Sequence, residues 1–226
     1  MQLPDYWLSR PEAELAAQTQ AAFDQLLAQA AAAGPQAPID YALPAPKWQF
    51  LCYLADQHGV VLHGTGDPDI RLFEPRRSHD LMEFGAQTAV YAARDGLWAM
   101  FFAVVDRTRY ALTTTNACIQ LVDAAGQAGP PRYVFGISRE ALQQRPWRAG
   151  TVYLLPGETF VNQPPLRSGP YEVRVPQLAS LTPVRPLARL AVTPDDFPFL
   201  ADIRGIEDDR LAEYGQAMQA GAPWPE

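Results

Sequence analysis

From residue 111 the chain reads ALTTTNACIQLV (111–122), RYVFGIS (132–138), GTVYLLPG (150–157), TFVN (159–162), YEVRVPQ (171–177) and VRPLARLAV (184–192). Each run is short and rich in β-branched, aromatic and aliphatic residues, the composition of a part-buried strand. Turn signals separate the runs: Ala125-Gly126-Gln127-Ala128-Gly129-Pro130-Pro131, Arg148-Ala149-Gly150, Pro156-Gly157-Glu158 and Arg167-Ser168-Gly169-Pro170. SREALQQ (138–144) is a short helix with Ser138 as its cap. Working back toward the N-terminus, the pattern turns helical. Asp95 to Val105 (DGLWAMFFAVV) reads as a mostly buried helix, and Lys47 to Gln57 as another, with Trp48, Leu51, Leu54 and Ala55 on one face. Val60-Val61-Leu62 and Thr88-Ala89-Val90-Tyr91-Ala92 are two further short strands. Ser9-Arg10-Pro11-Glu12 reads as a capping box opening an Ala/Gln/Leu-rich helix that Gly34-Pro35 stops. A last helix is expected over 207–219. Helices first and strands later, without regular alternation, point to α+β rather than a doubly wound parallel sheet.

The chain has 226 residues, 48% hydrophobic and 19% charged, which suits one globular domain with an extension and excludes wholesale disorder. Its net charge of −7 argues against a surface built for nucleic acid. No apolar run approaches the roughly 18 residues of a membrane span, and MQLPDYWLSRPEAEL lacks the pattern of a signal peptide. A cytoplasmic protein without membrane partners is expected. Cys52 and Cys118, the two cysteines, read as small buried thiols. Lys47 is the one lysine among 18 basic residues, a bias of genome composition.

No GxGxxG, Walker, HExxH or GxSxG motif occurs. The histidines, His58, His63 and His79, lack the carboxylate partners a metal would need, so no metal is expected. The chemistry-bearing segment is Leu62-His63-Gly64-Thr65, followed by Phe84-Gly85-Ala86-Gln87-Thr88-Ala89-Val90-Tyr91-Ala92-Ala93.

This segment resembles the NAD-binding core of ADP-ribosyltransferases of the poly(ADP-ribose) polymerase type. That family carries a strand ending in His-Gly-Ser/Thr, then a Phe-Gly segment leading to an aliphatic-Tyr-x-Ala strand and a helix, and a Glu on a much later strand. The resemblance covers residues 50–195. It implies a split, mostly antiparallel pair of sheets preceded by helices: a helical extension over 1–45, an NAD-binding domain over 46–200 and an acidic tail over 201–226. His63, Tyr91 and Glu172 would be its His-Tyr-Glu set, with Glu158 as the alternative acid. NAD would be the substrate, and the acceptor protein, nucleic acid or water. Water as acceptor would make the chain an NAD glycohydrolase.

On that resemblance the residue types have physical tasks. Tyr91, with Phe101 or Phe102 one helix further on, offers a ring to the nicotinamide cation. Gly64 lets the backbone approach the carboxamide. His63 and Thr65 hold ribose hydroxyls. Arg71, Arg76 and Arg77 meet the pyrophosphate, and the Glu stabilises the oxocarbenium-like ribosyl centre. An RNA 2′-phosphotransferase on the same fold would need a set of Arg and His contacts that this chain lacks. Two rivals belong to other classes: a non-catalytic nucleotide- or protein-binding module on the same fold, and an interaction protein that docks through the Ala/Gln helix. The position of the carboxylate separates the enzyme from the module.

Overall fold

The computed structural model describes residues 3–12, 14–78, 83–168 and 171–225. The elements run β1 (Leu8–Ser9), α1 (Ala17–Ala33), β2 (Ala37–Pro38), α2 (Lys47–Gln57), β3 (Val61–Thr65), β4 (Arg76–Arg77), β5 (Thr88–Ala93) and α3 (Gly96–Val104). They continue as β6 (Thr114–Val122), β7 (Arg132–Ser138), α4 (Arg139–Gln143), β8 (Gly150–Leu155), β9 (Val161–Asn162), β10 (Leu166–Ser168), β11 (Tyr171–Arg174), β12 (Gln177–Ser180), β13 (Ala188–Val192), β14 (Arg204–Ile206) and α5 (Leu211–Ala220). The larger sheet orders its strands β2-β13-β8-β3-β5-β12-β9, with β4 also on β5. The smaller orders them β1-β7-β6-β11-β10, with β14 also on β7. Pairing is antiparallel except at β2–β13 and β7–β14. The protein is α+β with two mostly antiparallel sheets.

Helix α3 is apolar on every side, the pattern of a helix enclosed by its own fold. It joins α2 and residues of both sheets in one core, including Leu62, Leu154 and Leu190 from the larger and Tyr133, Phe135 and Ile137 from the smaller. Glycines let its backbone sit directly on neighbours. A Cβ on Gly64 of β3 would fall 1.8 Å from the Ala99 carbonyl oxygen, and one on Gly150 at the start of β8 would fall 2.1 Å from that of Ala103. On the α2 side, a Cβ on Gly96 would lie 2.7 Å from the Leu51 Cβ. A second core on the opposite face of the larger sheet gathers Val61, Phe73, Val90, Tyr153, Leu178 and Val184.

The N-terminal arm differs from the helix expected there. Ser9 lies in β1, paired with Arg132 of β7, and α1 begins only at Ala17. The open edge of β7 and a buried carboxylate outcompete the local capping box. Arg10 donates to Asp95 (2.7 Å), Tyr133 (3.1 Å) and Asp56 (2.8 Å). Asp95, 1% exposed, also caps α3 by accepting from the Trp98 N–H at 2.8 Å. Burial, and then the Asp95 carboxylate, push the Tyr133 phenol up, so it stays protonated and donates to Asp95 at 2.7 Å. The run YEVRVPQ also departs from the single strand expected. It breaks before Pro176 into β11 of the smaller sheet and β12 of the larger. Ser138 precedes α4 as expected, but its hydroxyl donates to Asp208 and does not cap the helix. Gly169 and Pro170 of one turn signal lie outside the described residues.

Gly64→Ala should lower unfolding stability by about 3 kcal/mol, because a backbone carbonyl cannot move aside. Gly215→Ala in α5, which meets open space, should be neutral or slightly stabilising. Arg10→Ala should cost about 3 kcal/mol by leaving the Asp95 charge buried without its ion pair. Urea unfolding of the three variants beside the wild type checks these values.

Candidate functional site

Strands β3 and β5 share one registered pair, Leu62 opposite Ala93. Toward Tyr91 they part, and further along β4 pairs with β5, Arg76 opposite Ala89 and Arg77 opposite Thr88. The imidazole of His63 bridges the gap, with Nδ1 2.7 Å from the Tyr91 carbonyl oxygen. A carbonyl only accepts, so Nδ1 carries the proton and, in the neutral ring, Nε2 keeps a bare lone pair. Burial holds the His63 pKa below its ordinary value, against the opposing pull of that hydrogen bond, so the ring is neutral at pH 7. Its ring lies 4.8 Å from Phe73.

His63 and Tyr91 therefore meet through the main chain of Tyr91 rather than through its ring. Alternation along the strands sends His63, with Val61 and Ala92, to one face of the sheet, and Tyr91, with Ala93, to the α3 face. The Tyr91 hydroxyl shares its proton between the carbonyls of Phe84 and Gln87, both at 3.0 Å, and so pins the 84–87 turn. Thr65 Oγ1 accepts from the Asp67 N–H at 3.2 Å. Arg71, Arg76 and Arg77 are exposed. The same alternation puts Arg77 on the His63 face and Arg76 on the Tyr91 face. Phe101 is fully buried against Phe135, whereas Phe102 is only partly buried.

The expected acids are not brought to this place. Glu172 lies on β11 in the smaller sheet, opposite Val122, is 42% exposed and pairs with Arg174 at 3.3 Å. Glu158 stands in an exposed turn beyond β8. Tyr153 is the partner of His63 on β8, and Glu158 follows five residues later in the chain, past the end of the strand at Leu155. The strand beside Tyr91 is β12, with Gln177 opposite Ala93 and Ala179 opposite Tyr91. It carries Gln177, Leu178, Ala179 and Ser180, with no carboxylate. Pro176 was the available signal for this break, since proline ends a paired strand. Arg148 had no sequence signal. Its guanidinium lies so close over Gly66 that a Cβ there would fall 2.1 Å from Cζ, and its Nε donates to the Ala103 carbonyl at the end of α3 at 3.2 Å.

Burial pushes the Cys52 thiol up to about 12 and raises that of Cys118 well above its ordinary value, so both stay protonated. Among the described residues no group of three or more His, Cys, Asp or Glu side chains is placed to hold a metal. His79 lies outside the described residues. No described helix is long and apolar enough to cross a membrane. No family model matches the chain, and neither a curated protein nor a solved structure matches it.

Because the folded protein holds His63 below its ordinary value of 6.5, the unfolded chain binds that proton more readily. The stability this gives is complete above pH 6.5 and declines as pH falls below it. Urea unfolding between pH 5 and 8 should show this decline in the wild type, and a shallower one in His63→Gln.

Proposed function

We propose that the chain is an NAD-binding module on an ADP-ribosyltransferase-like fold, taking the dinucleotide where β3 and β5 part. The observation that carries the reading is His63, anchored through Nδ1 and presenting a bare Nε2 beside the split. On this reading Nε2 accepts a hydrogen bond from a ribose hydroxyl. Gly64 offers backbone to the carboxamide, and the Thr65 hydroxyl completes the ribose contacts. Arg77, with Arg71 and Arg76 nearby in the chain, turns its guanidinium to the pyrophosphate. The Tyr91 and Phe102 rings belong to the α3 side of the sheet, so the nicotinamide cation meets them only by reaching through the split from the His63 face, each ring contact being worth roughly 0.5–2 kcal/mol.

The positions of the acids favour binding over turnover. A carboxylate 4 Å from the developing ribosyl cation is worth about 4 kcal/mol at an effective dielectric constant of 20, and one at about three times that distance about 1.4 kcal/mol. The difference is about a hundredfold in rate. A second reading is ADP-ribosyl transfer to a protein or nucleic acid, or NAD hydrolysis. It is supported by the order His63-Gly64-Thr65, Tyr91 strand and following helix, with the Gln177 amide in place of the acid on the strand beside β5.

Calorimetric titration with NAD and an assay of free nicotinamide separate the readings. The expected result is saturable NAD binding, competed by ADP-ribose and weakened about tenfold or more in His63→Ala, without nicotinamide release above the buffer rate. Release that drops tenfold in Gln177→Ala or Glu172→Gln would establish the second reading. Absence of NAD binding by a folded wild type removes both.

A further inference from the structure

We propose a second site, separate from the β3–β5 split, that binds a free amino acid with a large apolar or aromatic side chain. Two clefts meet at Arg10, Asp56, Gln57 and Pro131. One, of about 340 Å³, opens between the end of α2, the start of α3 and β6, and is also lined by Arg94 and Gln120. The other, of about 590 Å³, runs beside α2, where Leu15, Trp48 and Tyr53 form its apolar part and Gln20 and Gln49 lie among its polar lining.

The charges of the smaller cleft cancel. Arg10 and Arg94 face Asp56 and Asp95. A net anion or net cation gains little there, whereas a zwitterion meets a partner at each end. The uncommitted hydrogen-bonding groups agree. Both oxygens of Asp95 are already engaged within the protein: one accepts from Arg10 and Tyr133, the other from the Trp98 N–H. Arg10 uses three of the five N–H groups a guanidinium carries, leaving two, with its side chain 20% exposed. Exposed Arg94 has no side-chain partner among the described residues, and its backbone N–H is fixed on the Pro176 carbonyl at 2.8 Å. Asp56 engages Arg10 through Oδ2 alone, leaving Oδ1 to accept.

A ligand carboxylate therefore takes Arg94 and the spare Arg10 N–H groups in forked hydrogen bonds. The ammonium takes Asp56 Oδ1 and the amide oxygen of Gln57. The side chain enters the adjoining cleft against Trp48, Tyr53 and Leu15, where apolar burial supplies affinity. A lone carboxylate leaves Asp56 unanswered, and a lone amine leaves Arg94 unanswered.

Calorimetry of the full chain with four probes tests the site: L-phenylalanine, glycine, 3-phenylpropionate and phenethylamine. L-Phenylalanine should bind saturably, about tenfold or more tighter than each of the other three. Arg94→Gln should weaken it at least tenfold, while Arg185→Gln, which removes an exposed charge elsewhere, should leave it unchanged. Saturating NAD should not displace it. Equal binding of 3-phenylpropionate, an unaffected Arg94→Gln, displacement by NAD, or no saturable binding of L-phenylalanine in the millimolar range would each overturn the proposal.

Discussion

Helix α3 touches the larger sheet through its backbone, and this contact fixes the geometry of the molecule. Ala99 and Ala103, one turn apart, present their carbonyls to Gly64 and Gly150 on the adjacent strands β3 and β8. Side chains on either surface would hold helix and sheet apart. Without them the helix is seated in one position, and both of its ends are then fixed. At the N-terminus Asp95 supplies the cap, and its buried charge recruits Arg10 from the chain's first segment and Tyr133 from the smaller sheet. At the C-terminus Arg148 collects the Ala103 carbonyl and lies over Gly66. Both ends of the helix thus depend on residues far away in sequence.

The arm and the tail both join the fold at the smaller sheet. β1 and β14 lie on one edge of β7, at Arg132–Tyr133 and Gly136–Ser138 respectively. Tyr6 donates to carbonyls of Ala217 and Ala222, and its ring lies 5.1 Å from Trp224. The two terminal segments therefore share a small apolar cluster over the outer face of the smaller sheet. Chain ends commonly fray; here an ion pair at one end and an aromatic cluster joining the two hold them.

What could be read from the sequence was what local chemistry decides. The α2 stripe, the apolar α3 and its Asp95 start, and the short strands at β3, β5, β7 and β8 carry their periods and stops within a few residues. Where the structure departs, a distant partner outbids the local signal. Ser9 and Glu12 look like a capping box, but β7 has an open edge and Asp95 lacks a cation, and both demands are met only in three dimensions. YEVRVPQ looks like one strand because six of its seven residues suit one. Pro176 divides it between two sheets, and that break carries Glu172 into the smaller sheet while Gln177 comes beside β5. No composition scale weighs a single proline heavily enough to separate these outcomes. The Arg10–Asp95–Tyr133 network is equally silent, because its members lie 85 and 38 residues apart.

Strands that part leave backbone groups to be satisfied, and His63 is usefully considered against that demand alone. An unpaired buried carbonyl costs about 1–3 kcal/mol, so a donor opposite Tyr91 is required wherever β3 and β5 diverge. Asparagine, glutamine or serine could supply one N–H or O–H there. Imidazole differs in its second nitrogen: once Nδ1 is committed to the carbonyl, Nε2 is held as an acceptor in a fixed direction. Protonation would convert that acceptor into a donor, and burial works against protonation. The bond to Tyr91 therefore accounts for one ring nitrogen; on the proposed reading, a ligand hydroxyl answers the other.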